Sequence, residues 1–363
     1  MSARRSYLVI ERFRGGDARP VYARFRERGR LAPPGLDYVA SWVDESLGRC
    51  WQVMEADDPA LLEEWMANWR DLVEFEVHPV YTSAEAAARV LKPAGDTVFR
   101  SAVAEIYESH LVPLIFAPYA DDLARRIAAR SPSRVLEIAA GTGAVTRVLA
   151  TALPPEVPIV ATDLNPAMLA QAAAVGTSRP VEWRKADAME LPFADGSFDA
   201  VVCQFGVMFF PDRPAAYAEV RRVLAPGGTF LFNAWDRIEE NEFAAVVTEA
   251  LATLYPDDPP RFLARTPHGY GDRTTIERDL AAGGFVAPAR IETLARRSRA
   301  ASPDVPAIGY CQGTPLRGEI EARDPAGLDR ATAAATEAIA RRFGSGAVDG
   351  TLQAHVVTVE SGR

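Results

Sequence analysis

An apolar run that turns on two glycines constrains this chain more than any other feature. Residues 135–143 read Val-Leu-Glu-Ile-Ala-Ala-Gly-Thr-Gly, and a helix-like segment, Ala144-Val145-Thr146-Arg147-Val148-Leu149-Ala150, follows. A strand that passes through glycines into a helix brings a ligand against main-chain N–H groups. Glycine has no Cβ to hold the ligand off and takes φ > 0 without penalty. From about residue 100 onward helical stretches alternate with short apolar strands, which predicts a mostly parallel sheet covered on both faces. Strands are expected at 134–140, 158–163, 181–186, 198–205, 227–234, 290–297 and 352–360. Helices are expected at about 100–129, 143–153, 166–174, 213–224 and 274–283.

The first 80 residues follow another pattern. A strand over 6–13 precedes a helical stretch over 20–29, then two strands, 36–46 and 48–56, arranged as a hairpin. Asp57-Asp58-Pro59 opens a second helix, whose Leu61, Leu62, Trp65, Met66 and Trp69 recur at helical spacing, and an alternating strand over 71–80 closes the unit. The order is βαββαβ, a ferredoxin-like α+β arrangement. Over about residues 5–85 it resembles small stand-alone bacterial α+β-barrel proteins of unassigned function. The likeness rests on Val9-Ile10-Glu11-Arg12-Phe13, Ser41-Trp42-Val43-Asp44 and Glu74-Phe75-Glu76-Val77. It implies sheet-to-sheet pairing, hence a homodimer through this domain, and no catalytic assignment. Trp42, Trp51 and Trp65 are candidates for a pocket wall, with core packing as the alternative, and His78 before Pro79 reads as structural. The Ala-rich stretch from Thr82 to Val98 joins this unit to the next, with the boundary placed near residue 92 (domains 1–92 and 93–363).

Bulk properties narrow the function. A net charge of −9 over 363 residues argues against nucleic-acid binding, whose footprint is usually basic. Lys92 and Lys185 are the only lysines, which speaks against Schiff-base chemistry. Cys50, Cys203 and Cys311 are odd in number and far apart, giving neither a metal site nor a disulfide framework. The N-terminal apolar run is too short for a signal peptide, and no window reaches a membrane span, so a cytoplasmic protein is expected.

In the second unit, five stretches in order resemble a class I S-adenosylmethionine-dependent methyltransferase of the ubiquinone/menaquinone-type small-molecule group. They are Glu137–Gly143, Ala161–Leu169, Lys185–Phe193, Phe198–Gly206 and Val223–Leu231. The resemblance implies a seven-stranded Rossmann-like sheet and S-adenosylmethionine as cofactor. It further implies that Glu137, Ala139, Gly141, Thr142 and Gly143 receive the methionine end and that Asp163 accepts the ribose hydroxyls. Leu164 and Met168 would sandwich the adenine, Asp187 and Ala188 would meet its amino edge, and Gln204 and Phe205 would also bind the cofactor. A dinucleotide oxidoreductase is the competing reading of the glycine turn. Its third glycine falls at Thr146, and it gives no role to Glu137 or Asp187. A non-catalytic, cofactor-binding sensory or partner-binding protein is the second alternative.

The acceptor is expected to be a small organic molecule. The fourth strand ends in Cys203-Gln204-Phe205-Gly206, not in the Asn/Asp-Pro-Pro-aromatic segment of enzymes that methylate nucleobase amino groups. Two regions are candidates for its pocket. In the helical lead-in 106–119, Tyr107 would close on the methionine end and His110 is a candidate base. In an insertion at about 236–272, His268 and Tyr270 lie beside glycines as candidate catalytic residues. A second insertion at 300–350, with a helix over 328–343, reads as cap or core.

Overall fold

The computed structural model describes residues 5–80 and 101–362, and the chain divides into two compact units, Met1–Pro93 and Ala94–Arg363. The expected linker over 82–98, with its boundary near residue 92, lies outside the described residues.

The first unit runs β1 (Arg5–Phe13), α1 (Arg19–Arg28), β2 (Leu36–Val43), β3 (Arg49–Ala56), α2 (Ala60–Ala67) and β4 (Val73–Val80). All neighbours in the sheet are antiparallel, in the order β2-β3-β1-β4, giving the ferredoxin-like arrangement. Alternation along β3 sends Cys50, Gln52, Met54 and Ala56 into the interior and leaves Trp51 and Val53 on the open face. The three tryptophans therefore do not act together. Trp65 is 2% exposed in the core, whereas Trp42 is 61% exposed and pairs across the strands with Trp51. His78 is exposed and bonded to Glu76 at 2.9 Å.

The second unit begins with α3 (Ser101–Ile106), a π-helix (Tyr107–Phe116) and α4 (Ala117–Ala128). Sequence periodicity predicts one continuous helix here. The widened coil coincides with Pro113, which has no N–H to donate to the helical ladder. There follow β5 (Val135–Glu137), α5 (Ala144–Ala152), β6 (Ile159–Asp163), α6 (Pro166–Val175), β7 (Glu182–Lys185), β8 (Phe198–Gln204), α7 (Arg213–Val223) and β9 (Leu224–Trp235). After β9 come α8 (Glu242–Leu254), α9 (Phe262–Arg265), α10 (Arg273–Ala282), β10 (Arg290–Ala300), α11 (Asp304–Gln312), α12 (Leu316–Arg323), α13 (Leu328–Phe343) and β11 (Val348–Glu360).

The sheet order is β10-β11-β9-β8-β5-β6-β7. Pairing is parallel from β9 through β7, and β11 runs antiparallel to both its neighbours. Leu136 and Val160 enter one apolar core and Val135 and Ile159 the other, so both faces of the parallel strands are covered. Among the described residues no helix is long and apolar enough to cross a membrane.

Candidate active site

In an open parallel sheet, ligands bind beyond the carboxyl ends of the strands, where the connections diverge to opposite sides. A cleft of about 1000 Å³ lies there, at the ends of β5, β6 and β8. Its floor is backbone. Ala139 and Phe205, neither of them glycine, adopt φ +51° and +53°, and both line the cleft. Non-glycine residues held in this region are strained by about 1–3 kcal/mol, and such strain clusters at ligand clamps. Between the two sits Gly206, where a Cβ would come within 2.4 Å of the Ala139 Cβ and 2.8 Å of the Cys203 sulfur. Only glycine lets the two loops cross this closely. Gly141 has φ +57° and also faces the cleft, while Gly143 (φ +82°) has Trp183 packed where its side chain would be.

Asp163 ends β6 with both carboxylate oxygens engaged. Gly141 N–H donates to one and Asn165 N–H to the other, each at 2.8 Å. Burial raises its pKa, and those two N–H donors oppose the rise. Each oxygen has a further lone pair, enough together to receive a pair of vicinal hydroxyls. Asp187 accepts from Met189 N–H at 2.9 Å and lines the cleft with Ala188. Met168 is buried under the cleft, whereas Leu164 lines it while remaining 50% exposed, an apolar side chain suited to covering a flat ring. Gln204 lines the opposite wall and donates to the Phe116 carbonyl at 2.9 Å, which locks the end of the π-helix.

Three of the expected contact residues lie behind this surface. Glu137 is 1% exposed and accepts from the Thr146 hydroxyl at 2.5 Å. Burial pushes its carboxyl up to about 8, against the hydrogen bond from Thr146 and the charge of Arg147. Its side chain supports the turn from beneath, and Thr146 is there because its hydroxyl meets that buried carboxyl. Gly143 and Thr142 likewise do not line the cleft. The Thr142 hydroxyl is buried with no hydrogen-bond partner among the described residues, a costly state that a polar ligand group at the turn would relieve.

A second, aromatic pocket of about 610 Å³ shares Tyr107, Phe205 and Phe209 with the cleft. Tyr107 stacks on Phe116 with ring centroids 4.9 Å apart, although the two are nine residues apart in one coil. At 3.6 residues per turn such positions face opposite ways; the π-helix brings them together. Leu111, Ile115 and Trp235 continue the wall, and the two insertions complete it: Asn241, Phe262, Leu263, Pro267 and His268 from one, Tyr310, Thr314 and Pro315 from the other. The second insertion packs closely on the π-helix, since a Cβ at Gly309 would lie 2.9 Å from Leu111.

The pocket contains few polar groups. Asn241 is committed to Arg237 and Gln353, and the Thr314 hydroxyl donates to the Tyr310 carbonyl. His268 Nδ1 lies 2.8 Å from the Asp236 carbonyl oxygen, which can only accept, so Nδ1 carries the proton and Nε2 is left as an acceptor. Burial lowers the ring's pKa to about 4. Tyr310 adds a hydroxyl with no hydrogen-bond partner among the described residues.

The structure separates the other two candidate catalytic residues from this chemistry. Tyr270 is 2% exposed, and its hydroxyl lies 3.2 Å from that of Tyr217 and donates to Asp279 at 3.1 Å, beneath the sheet rather than in either pocket. His110 is half-buried beside Ser109 and lines neither pocket. Sequence reasoning missed Tyr310, which no local motif marks. It also missed Phe209 and Phe210, although an aromatic pair just after a buried strand and before the Pro211-Asp212 helix start was a usable signal.

Seven strands in this order with the antiparallel strand beside β9, a glycine turn and a carboxylate ending the second strand are the arrangement of a class I S-adenosylmethionine-dependent methyltransferase fold. Residues 136–232 match the family described as Methyltransferase domain, and residues 5–94 match a domain of unknown function (DUF3303), so the chain joins one of each. The chain is similar to the demethylmenaquinone methyltransferase of Thermus thermophilus, 44% identical over 101 residues, covering 27% of this chain and 46% of that one. It is also similar to the ubiquinone/menaquinone biosynthesis C-methyltransferase UbiE of Pseudomonas aeruginosa, 30% identical over 169 residues, 43% of this chain and 66% of that one. The chain thus spans between about half and two thirds of the length of these two curated relatives. Among solved structures it is similar to the YcgJ protein of Bacillus subtilis, with a TM-score of 0.44 and 18% identity, covering 68% of this chain and 99% of that one.

Proposed function

We propose that the chain transfers a methyl group from S-adenosylmethionine to a small, largely flat organic acceptor held in the aromatic pocket. The observation that supports this reading is the meeting of the two cavities at Tyr107, Phe205 and Phe209, which sets a cleft roomy enough for a nucleoside beside a largely apolar pocket. Bound in the cleft, S-adenosylmethionine supplies an electrophilic methyl on a sulfonium. Asp163 would hold the ribose, Leu164 and Met168 the adenine faces, Asp187 its amino edge, and the Gly141 turn and Tyr107 the methionine end.

The chain's own part in the reaction is to hold an acceptor on the methyl axis and to exclude water, which is worth about 7–11 kcal/mol when the geometry is near attack. Neutral His268 offers Nε2 to an acceptor hydroxyl and can take its proton as the nucleophile forms. The Tyr310 hydroxyl orients the same group. The names of the relatives, which concern quinone-type acceptors, favour a hydroxylated ring as acceptor over a nucleic acid. We further assign a cytoplasmic setting from the three unpaired, buried cysteines, and a homodimer through the open face of the first sheet, where Trp42 stands exposed.

The test is a screen of hydroxylated aromatic and quinol acceptors with release of S-adenosylhomocysteine as readout. Turnover that falls at least about tenfold in His268→Ala supports the proposal. Tight binding of S-adenosylmethionine without turnover on any acceptor would favour a non-catalytic sensor instead.

A further inference from the structure

Helix α1 (Arg19–Arg28) spans ten residues in the first unit, yet none of them is buried. A helix that covers a sheet normally seats an apolar stripe on it. Here the space beneath is a pocket of about 600 Å³ between α1, α2 and the sheet. Trp65, Trp69, Phe13 and Val73 form its deep apolar wall, and Tyr22 and Phe25, both largely exposed, stand at its mouth. Both indole N–H groups donate to the Arg30 carbonyl, at 2.8 and 3.2 Å, so the tryptophans present only their apolar surfaces to the cavity.

The opposite end is polar and internally balanced. Gln52, 2% exposed, donates to Glu11 at 2.6 Å and accepts from Arg30 at 3.1 Å, linking a carboxylate and a guanidinium that both line the pocket. The guanidinium is also packed over the Tyr38 ring at 3.2 Å. Buried polar networks are retained only when their members are satisfied. Glu11 also takes the Cys50 thiol, and beyond these bonds it keeps acceptor lone pairs and Arg30 keeps N–H donors.

We propose that this pocket is a second small-molecule site, separate from the methyl-transfer machinery, that takes an uncharged flat aromatic compound bearing a hydroxyl group. The flat ring matches the tryptophan wall. A hydroxyl donates a hydrogen bond to Glu11 and accepts one from Arg30, completing the network without adding a charge. An anionic or cationic ligand would add a charge to a half-buried pair that is already balanced.

The test uses the full chain labelled with ¹⁵N at tryptophan, whose six indole signals separate the two units. Trp65→Phe and Trp69→Phe assign the two reporters, and catechol is titrated as the neutral probe, with benzoate and benzylamine as charged controls. Catechol is expected to shift the Trp65 and Trp69 signals saturably, and Glu11→Gln and Arg30→Gln are each expected to weaken that response about tenfold or more. A response confined to Trp235, or equal in wild type and both variants, overturns the site. Tighter binding of benzoate or benzylamine at the same two signals overturns the ligand class.

Discussion

The ring of Phe205 lies flat on the indole of Trp235, with centroids 3.7 Å apart and planes within 5°. Phe205 lines both cavities and Trp235 only the aromatic one, so this stack is the partition between the two. Trp235→Leu is expected to raise the acceptor KM about tenfold through lost ring contact. The dissociation constant for S-adenosylhomocysteine, measured by calorimetry, is expected to stay within about twofold of wild type.

Asp163 offers the sharpest test of the cofactor cleft. Asp163→Asn keeps the shape but replaces one accepting oxygen with a donor that faces the N–H of Gly141 or Asn165. Hydrogen bonds to charged groups contribute about 1.5–3 kcal/mol each. The affinity for S-adenosylhomocysteine is expected to fall at least about tenfold, with a lowered Tm. Unchanged calorimetric binding would remove Asp163 from the site.

Gly206 admits no side chain because the Ala139 Cβ and the Cys203 sulfur occupy the space. Gly206→Ala is expected to cost about 1–3 kcal/mol by overpacking. Cofactor binding should be lost beyond what the stability change explains, since Ala139 must move. Denaturant unfolding and calorimetry on the same preparation separate the two effects.

His268 carries a signed dependence on pH. Its folded pKa of about 4 lies below the value of about 6.5 for an unfolded chain, so protons favour the unfolded state between those values. The contribution of the neutral ring to stability is complete above about pH 6.5 and is lost as the pH falls toward 4. In kcat/KM, the acid limb due to His268 is expected near pH 4 and should vanish in His268→Gln. A limb near 6.5 that disappears in that variant would contradict the buried, neutral assignment.

Much of this arrangement was legible because local chemistry fixed it. Gly141 takes a positive φ that glycine adopts without strain, Asp163 must end a strand to reach the turn, and alternation in the short strands declares which side chains are interior. Tyr310 was not legible, because it reaches the pocket from an insertion far away in the chain. Tyr270 was misread for a related reason. Glycines beside it imply a loop but not which way its ring points, and burial against Tyr217 and Asp279 decided that. The π-helix escaped because periodicity measures apolar recurrence, and a single widened segment leaves that recurrence almost intact.

That widened segment has an evolutionary corollary. Tyr107 sits at the border of both compartments, whereas Leu111 and Ile115 face only the aromatic one. The lining of the aromatic compartment can therefore change at Leu111, Ile115 and the loop at Pro267 while the lining of the cleft stays intact. Insertion or deletion of one residue in the coil would instead rotate Tyr107 away and disable both at once.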